Sequence, residues 1–551
     1  MRSLIAAALL IVCALPTAAQ QMMRPDVMGR SAAISSDHQL ATATGAAVLR
    51  RGGNAVDAAI AMAGVLAVVR PHMNGVGGDL FMLYREAKTG RVFALNGSGG
   101  AGSGALPEAF AARGLQSVPG AGIMSVSVPG AVRAWEDALA RFGTTTLRQA
   151  LAPAVGYAEG GFPVSTRLSL DFTGELKKIS NDPELRRTYL VNGKAPVPGT
   201  LLVQRDLAAT LRRIASGGAR ALYTGPLAAR VAGFITTEGG FVTAADLARH
   251  RSEWTAPLRT TYLDHEVLAF PPNTQGVTFL EMLNIAGQAS LTAMGHNSAA
   301  YIHTLVEGAK LAYADRDRWV ADPRFSSVPT DRLLSPDYAR ELARRIRPDS
   351  SDSTDARGAG EDRDATGDTV YLCVIDQHGN AVSLIQSLFA AFGSGRMVPG
   401  TGIVLHNRGS LYSLDAVHPN IIAPGKRPFH TLSPAMVLDA RGSVAMVLGT
   451  PGGDGQPQTL MQIVNNVLRF GMTPQQAVEA PRWRMYGQGR LGVEPGVTDE
   501  VRSTLRRYGH EVAVQAPSAE FGGAQMLRVH PVTKVLMVGS DFRREAFGVA
   551  W

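Results

Sequence analysis

One border in this chain limits how the polypeptide can fold more than any other feature. Residues 348–368 contain no large apolar side chain, and a strongly apolar run begins directly afterwards at Thr369. Because the polar run cannot contribute to a core, we expect it to be exposed and mobile. The apolar run has the composition of a buried strand. The border therefore divides the chain into a long and a short part.

Two interpretations fit the threonine at this border. Threonine is common in strands, and that alone accounts for the residue. Alternatively, cleavage after Asp368 would leave Thr369 with a free α-amine, whose ordinary pKa of roughly 7.7–8.0 suits a base that activates the threonine hydroxyl. The same hydroxyl could perform the cleavage by attacking the carbonyl carbon of Asp368. A mobile segment before a rigid strand favours such self-cleavage.

A second motif with possible chemistry is the glycine-rich sequence GTPGGDG at residues 449–455, between a predicted strand and a predicted helix. Its backbone amides, together with a helix N-terminus, could stabilise an oxyanion. A phosphate-binding loop is the less suitable interpretation, because the expected Lys-Ser/Thr pair is missing. A plain tight turn also fits the sequence.

The first 19 residues have the three parts of a secretory signal peptide: Arg2, an apolar core and a small-residue site ending at Ala19. We therefore expect a secreted protein without a membrane anchor, in a bacterial periplasm. Removal of residues 1–19 leaves Cys373 as the single cysteine, so no intramolecular disulfide can form. Cys373 lies within the predicted strand and is expected to be a small buried hydrophobe.

The charge of the 551-residue chain is +8, and it comes from scattered arginines. Neither zinc-ligand spacing nor an RNA-binding signature accompanies them, so nucleic acid is not an expected partner. A small anionic substrate is compatible with this charge. We expect no metal and no organic cofactor.

The periodicity predicts strands and helices in separate runs, which favours an α+β layered fold. Residues 54–69 are apolar nearly all round and predict a buried helix. The predicted strands are 80–84, 92–95, 369–376 and 381–387, with a hairpin at 435–450, and the predicted helices are 132–142, 147–158, 205–216, 301–319 and 459–470.

Six segments in a characteristic order carry a family resemblance. They are GGNAVDAAIAMAGVLAVVRPHMNGVGGDLFMLY (52–84), GDTVYLCVIDQHGNAVSL (367–384), FGSG (392–395), GTGIVLHNR (400–408), GKRPFHTLSPAMVL (425–438) and GTPGGDGQPQTLMQIVNNVLRFGMTPQQAVEAPR (449–482). With this set the chain resembles the gamma-glutamyltranspeptidase family of N-terminal-nucleophile hydrolases. The resemblance implies a four-layer αββα sandwich and autocleavage into a large subunit (20–368) and a small one (369–551), which form one intertwined unit.

The resemblance also implies roles for individual residues. Thr369 matches the family nucleophile, and Ser387 matches a hydroxyl residue that orients it. Gly452 and Gly453 match the glycines whose amides stabilise the oxyanion.

The matched substrate pocket departs from the family pattern. Ser98 takes the place of an arginine for the substrate α-carboxylate, and His430-Thr431 replaces a Ser-Ser pair. Phe389, Arg408 and Leu411 replace the groups that hold the α-ammonium. We therefore expect an acyl group with a carboxylate but without an α-ammonium, as in a dicarboxylic half-amide, held by Arg408 and His430. A structural or surface role for Arg408 is the alternative.

Three functions remain open at this stage. The first is an autoprocessed amidohydrolase or acyltransferase whose small-molecule substrate is a γ-glutamyl-like or dicarboxylic acyl amide. The second is a γ-glutamyl transferase or glutathione hydrolase proper. The third, of another class, is a processed but inactive periplasmic binding protein.

Overall fold

The computed structural model describes residues 22–351, 367–487 and 490–551, without the side chains of Gly367 and Asp368. The predicted signal peptide and most of the polar run lie outside these residues. The described strands are β1 (Val27–Gly29), β2 (Ala33–Ser36), β3 (Asp79–Arg85), β4 (Val92–Gly97), β5 (Phe162–Pro163), β6 (Leu201–Leu202), β7 (Glu253–Thr255), β8 (Leu258–Tyr262), β9 (His265–Ala269), β10 (Gly367–Ile375), β11 (Ala381–Ala390), β12 (Met397–Val398), β13 (Ile403–Val404), β14 (Ala435–Leu438), β15 (Val444–Gly449), β16 (Trp483–Met485), β17 (Arg490–Val493), β18 (Glu511–Val514), β19 (Gln525–Val529), β20 (Leu536–Ser540) and β21 (Phe547–Ala550).

The described helices are α1 (Gln39–Arg50), α2 (Ala55–Val69), α3 (Pro107–Ala111), α4 (Ala131–Phe142), α5 (Leu147–Gly160), α6 (Thr166–Gly174), α7 (Leu176–Asn181), α8 (Pro183–Tyr189), α9 (Arg205–Gly217), α10 (Arg220–Tyr223), α11 (Pro226–Thr237), α12 (Ala244–Arg249), α13 (Gly276–Ala286), α14 (Leu291–Met294), α15 (Ala299–Trp319), α16 (Thr330–Leu333), α17 (Pro336–Ala343), α18 (Gln456–Leu468), α19 (Pro474–Glu479) and α20 (Asp499–Arg507). None of the helices in these ranges is long and apolar enough to cross a membrane.

Two seven-stranded antiparallel sheets form the centre of the molecule. The first has the order β21-β2-β10-β11-β3-β4-β7, and the second has the order β1-β20-β19-β15-β14-β9-β8. Each sheet combines strands from both sides of the Asp368–Thr369 border. The two parts of the chain are therefore interleaved in both sheets.

Alternation along the strands divides the apolar residues among three cores. On β10, Tyr371 and Cys373 face the core between the sheets, whereas Val370 and Leu372 face a helical layer outside the first sheet. On β14, Met436 likewise faces inward, and its neighbours face the helices outside the second sheet. Three cores separate four layers, so the expected αββα arrangement is confirmed.

Helix α2 illustrates how the sequence specifies the outer layer. Asn54 caps its N-terminus by accepting the backbone N–H groups of Val56 and Asp57, and the Asp57 carboxylate accepts the Asn54 N–H in return. Every residue of α2 is buried, because the helix packs between α1, α5 and the first sheet. The prediction of a buried helix at 54–69 is confirmed.

Some predicted boundaries are wrong. Strand β10 begins at Gly367 rather than at Thr369, because pairing with β11 extends past the border. Helix α18 begins at Gln456, three residues before the predicted start. Strands β7, β8 and β9 lie between the predicted helices 205–216 and 301–319, where no strand was predicted. β7 is an edge strand of the first sheet, and β9 and β8 are the last two strands at one edge of the second.

Candidate active site

Thr369 lies at the rim of the core between the sheets. Its side chain is buried, and its Oγ1 donates a hydrogen bond to Ser387 Oγ on β11 over 3.0 Å. Ser387 Oγ also accepts the backbone N–H of Phe389 at 2.7 Å. The predicted nucleophile and the predicted orienting hydroxyl are therefore in direct contact.

The peptide bond before Thr369 coincides with an irregularity in the sheet. Asp368 is opposite Phe389 and Thr369 is opposite Ser387, so the register shifts between these two pairs. Such a bulge twists a strand locally and re-aims its side chains. Phe389 has a φ of 81°, a left-handed conformation that is uncommon for a large side chain. The irregular backbone is thus concentrated beside the predicted cleavage site.

The glycine-rich sequence forms the loop from the end of β15 to the start of α18. Gly452 and Gly453 have φ values of 132° and 55°, which favour glycine. Neither amide N–H has a hydrogen-bond acceptor among the residues that the structure describes. The short 3₁₀ turn that begins at Gly453 contacts β10, the strand of Thr369. This loop therefore presents free amides near the predicted nucleophile.

Buried polar side chains hold the glycine loop in place. Gln275 Nε2 donates to the carbonyl oxygens of Thr431 at 2.8 Å and of Gly453 at 3.1 Å. Tyr313 donates its hydroxyl to the carbonyl of Asp454, and the Asp454 carboxylate pairs with Arg316 at 3.1 Å. These contacts fix the loop from the side of the second sheet.

Arg408 is fully buried, which excludes the interpretation of a surface arginine. Its Nη1 donates to Thr431 Oγ1 at 3.2 Å, and its guanidinium carbon lies 4.4 Å from the ring centroid of Phe389. Its Nε and Nη2 atoms have no hydrogen-bond partner within the described ranges. Burial lowers the pKa of Arg408 to about 10, against the effect of nearby Asp79 and Asp454. At neutral pH the side chain therefore remains a cation with two unused donor groups.

The structure adds a buried acid and a second imidazole to the site, which sequence reasoning missed. Asp79 Oδ2 lies 2.9 Å from His406 Nδ1 and 3.5 Å from His430 Nε2, and all three residues are buried. Burial, followed by the charge of Arg408, holds the pKa of His430 well below its usual value. His430 is therefore a neutral imidazole. Asp79 follows two glycines at the start of β3, a position that does not by itself indicate a functional residue.

The other two predicted pocket residues are less directly involved. Ser98 is buried and donates its hydroxyl to Asn96 Oδ1 at 2.6 Å. Asn273 links Ser98 to the site. Its side-chain Nδ2 donates to Ser98 Oγ at 3.4 Å, and its backbone carbonyl accepts the backbone N–H of His430. Leu411 is half-buried at the end of the 3₁₀ turn Arg408–Leu411 and offers an apolar side chain.

One group of buried side chains has the composition of a metal site. Donor atoms of His303, Glu307 and His510 lie within 4.8 Å of one another. The two rings hydrogen-bond directly at 2.8 Å, and the Lys310 ammonium lies 2.7 Å from the Glu307 carboxylate. An ammonium already balances the carboxylate charge, so this group is poorly suited to a cation.

The site thus combines a hydroxyl, free backbone amides and a buried guanidinium around one strand end. The hydroxyl can attack a carbonyl carbon, the amides can stabilise the resulting oxyanion, and the guanidinium can bind a carboxylate. The geometry is that expected for acyl transfer through a side-chain hydroxyl.

The chain is similar to known proteins over most of its length. The family model described as gamma-glutamyltranspeptidase matches residues 41–551. The chain is 41% identical over 498 residues to the glutathione hydrolase-like YwrD proenzyme of Bacillus subtilis, which covers 89% of this chain and 93% of that protein. It is 39% identical over 506 residues to the oxamate amidohydrolase proenzyme of Klebsiella pneumoniae, with coverages of 90% and 94%.

A solved structure is similar over nearly the whole chain. The crystal structure of a cephalosporin acylase from Bacillus halodurans superposes with a TM-score of 0.90 at 34% identity. The match covers 98% of this chain and 99% of that one.

Proposed function

The chain belongs to the gamma-glutamyltranspeptidase family of enzymes, and from this membership we propose that it is a self-processing amidohydrolase whose nucleophile is Thr369. The observation that carries the proposal is the hydrogen bond from Thr369 Oγ1 to Ser387 Oγ, next to the bulge between Asp368 and Thr369 in β10. The similar B. subtilis and K. pneumoniae proteins are proenzymes, which supports processing.

Processing begins when Thr369 Oγ attacks the carbonyl carbon of Asp368. The C–N bond breaks as the threonine nitrogen takes a proton, which leaves an ester between Asp368 and the Thr369 hydroxyl. Water hydrolyses this ester, which releases the Asp368 carboxyl group and regenerates the Thr369 hydroxyl beside the α-amine that the first step set free. The products are the subunits 20–368 and 369–551, which remain interleaved in both sheets.

In turnover the same hydroxyl attacks the amide carbonyl carbon of a substrate, and the α-amine of Thr369 accepts the hydroxyl proton. The amides of Gly452 and Gly453 stabilise the oxyanion. The amine then returns the proton to the leaving nitrogen as the C–N bond breaks. Water, or an amine acceptor in a transferase, finally releases the acyl group from its ester with Thr369.

The preferred acyl group has a free carboxylate and no α-ammonium. Arg408 is buried, charged and only partly hydrogen-bonded, and its planar guanidinium suits a carboxylate through two parallel hydrogen bonds. A substrate ammonium at the same place would be repelled by the same charge, at a cost of about several kcal/mol in a buried site. A dicarboxylic half-amide satisfies both conditions.

Mass spectrometry of the purified protein tests the nucleophile. The expected small chain begins at Thr369 and is absent from the Thr369→Ala variant. Thr369→Ser is the matched control, because it retains a hydroxyl and should still be processed. A wild-type protein in which the bond between Asp368 and Thr369 stays uncut would contradict the proposal.

Competition between glutaryl and γ-glutamyl anilides tests the acyl group. We expect a higher kcat/KM for the glutaryl compound, and Arg408→Gln should lower that value about 10- to 100-fold, as expected for the loss of a charged hydrogen bond of about 1.5–3 kcal/mol. Arg528→Gln is the control and should leave kcat/KM unchanged. Arg528 is a half-buried arginine that also donates to an oxygen atom, the Met472 carbonyl.

The two other candidate functions correspond to distinct outcomes of these assays. Preference for the γ-glutamyl anilide would identify a γ-glutamyl hydrolase or transferase. A binding protein would bind a half-amide without turnover. Its affinity for the half-amide would be the same in the processed wild type and in the uncleaved Thr369→Ala variant. We further propose export to the periplasm, based on the segment 1–19, and cell fractionation would test this.

A further inference from the structure

Around Thr369, strand β10 has a strand partner on one edge only, because β11 pairs with it there and β2 does not. Strand β2 pairs with β10 only from Ile375 to Leu372, where Ser36 is the last partner. Beyond this point the Asp37 side chain replaces the missing strand, because its Oδ2 accepts the backbone N–H of Tyr371 at 2.7 Å. Asp37 is fully buried. One buried carboxylate therefore takes the place of a strand partner at this edge of β10.

The position of Thr369 relative to Asp37 follows from strand geometry. Backbone N–H groups alternate between the two edges of a strand, so the N–H of Thr369 points to the same edge as that of Tyr371. After cleavage this nitrogen becomes the α-amine. Asp37 thus holds the edge of β10 on which the proposed base lies.

The second oxygen of Asp37 connects this edge to the opposite sheet. Gln525 Nε2, at the start of β19, donates to Asp37 Oδ1 at 2.9 Å and to the carbonyl of Gly523 at 2.7 Å. Gln525 pairs with Gly449, the last residue of the strand that leads into the glycine loop. A single amide group therefore joins the first sheet to the segment around Gly523.

That segment lies directly against the glycine loop. The backbone N–H of Gly523 donates to Thr450 Oγ1 at 3.1 Å. A Cβ on Gly452 would lie 3.3 Å from the Cα of Gly522. The contacts thus form a continuous path from Tyr371 through Asp37, Gln525 and Gly523 to Thr450 and Gly452.

We propose that Asp37 is a positioning residue that, through Gln525, sets the distance between the Thr369 nucleophile and the amides of Gly452 and Gly453. The inference rests on the proposed function, because it assigns Asp37 to the same reaction. Asp37 does not contact the substrate. It fixes two elements from different sheets that must meet at the reacting carbonyl.

The charge state of Asp37 agrees with this role. Burial raises the pKa of Asp37 to about 6, and the guanidinium groups of Arg544 and Arg70 oppose that rise. The group is therefore mainly ionised at pH 7.5, with acceptor oxygens only. Both of its contacts are donated by N–H groups, as an ionised carboxylate requires.

Asp37→Asn and Gln525→Met test the inference in the full-length, processed protein. In Asp37→Asn the new side-chain carbonyl oxygen could still accept the Tyr371 N–H. Its amide NH2 group would then face the NH2 group of Gln525, and two donors cannot form a hydrogen bond with each other. Gln525→Met removes the bridge and leaves Asp37 unchanged. Since a displacement of about 1 Å in an active site can cost on the order of 10²-fold in rate, we expect kcat with the glutaryl anilide to fall at least about 20-fold in each variant. KM should change less than about threefold, because Arg408 is untouched.

Ser35→Ala is the matched control. Ser35 also joins the two sheets, through a 3.1 Å contact with Ser540 Oγ, but it does not contact the glycine loop. If Ser35→Ala lowers the melting temperature as much as Gln525→Met and leaves kcat unchanged, the inference is supported. A normal kcat in Gln525→Met, even where Asp37→Asn does not fold, would overturn the inference alone. A wild-type protein that is neither cleaved nor active would overturn the proposed function, and the role of Asp37 with it.

Discussion

Thr369 Oγ1 lies 3.0 Å from Ser387 Oγ, and the Ser387 oxygen accepts the backbone N–H of Phe389. Because Phe389 donates to it, the serine oxygen is held in position and can receive the threonine hydroxyl. The direction of the Thr369 hydroxyl is therefore determined by the neighbouring strand.

Replacing Ser387 with alanine should slow self-cleavage. Without the acceptor the Thr369 hydroxyl loses its fixed direction, and we expect the rate of conversion of the intact chain to fall about 10- to 100-fold, in line with a hydrogen bond of roughly 1–3 kcal/mol. A time course of intact and cleaved chain by mass spectrometry measures this rate. Ser383→Ala is the control: Ser383 lies on the same face of β11 and contacts the Tyr371 hydroxyl at 2.7 Å. Equal rates for Ser387→Ala and the wild type would show that the contact has no part in cleavage.

Replacing Gly452 with alanine should lower kcat. A φ of 132° is unfavourable for any residue with a Cβ, and the added carbon would lie 3.3 Å from Gly522. The loop must shift, and its amides move away from the oxyanion, so a loss of about 10²-fold or more is expected, as for the removal of an oxyanion donor elsewhere.

Gly442→Ala separates the loss of an amide from ordinary backbone strain. Gly442 lies in the hairpin between β14 and β15, with a φ of 75° and open space where an added Cβ would lie. This control should lower the melting temperature and leave kcat unchanged. If both variants lose activity in proportion to their loss of stability, Gly452 has no specific role.

Thr431→Val should weaken the binding of a carboxylate substrate. Thr431 Oγ1 accepts the single side-chain hydrogen bond that Arg408 makes among the described residues. Its loss frees the guanidinium to rotate, so we expect KM for the glutaryl anilide to rise about 3- to 10-fold with little change in kcat. Steady-state kinetics measure both constants. Thr210→Val removes a buried hydroxyl that contacts the Thr401 carbonyl, and it should leave KM unchanged. A fall in kcat without a change in KM would contradict the assignment of Thr431 to the acyl pocket.

Much of the fold could be predicted because it depends on local patterns. The uniform apolar character of α2 and the alternation on β10 each determine which layer the element faces. The boundary of β10 could not be predicted in this way. Gly367 and Asp368 have polar neighbours in sequence, and only pairing with Ala390 and Phe389 places them in the strand.

The same distinction between local patterns and long-range contacts applies to the candidate site. Thr369 and the glycine loop have sequence patterns of their own, but Asp79 and Asp37 do not. Asp79 reaches His406 across more than 300 positions in sequence, and Asp37 reaches Tyr371 and Gln525 from the end of a short strand. Contacts of this kind depend on the packing of the two sheets, so a single sequence contains no local signal for them.

Glu281 gives the protein a stability that depends on pH. It is buried in α13 near the carboxylate of Asp315. Burial, followed by the repulsion of Asp315, raises the pKa of Glu281 well above the ordinary 4.5. Below the ordinary value, both the native and the unfolded chain hold the proton. Above it, the unfolded chain releases the proton while the native chain retains it, so this group lowers native stability as pH rises towards its native pKa.

Glu281→Gln should therefore raise the apparent melting temperature at pH 8 by about 1–3 °C and leave it nearly unchanged at pH 4.5. Thermal unfolding at the two pH values, with wild type beside it, measures the difference. Glu341→Gln is the control. Glu341 is exposed on α17, so its neutralisation should not change how the melting temperature depends on pH. The expected sign is specific: if glutamine stabilised the protein at pH 4.5 and not at pH 8, the carboxyl group would be ionised in the native state. Another group would then have to balance the negative charges of Glu281 and Asp315.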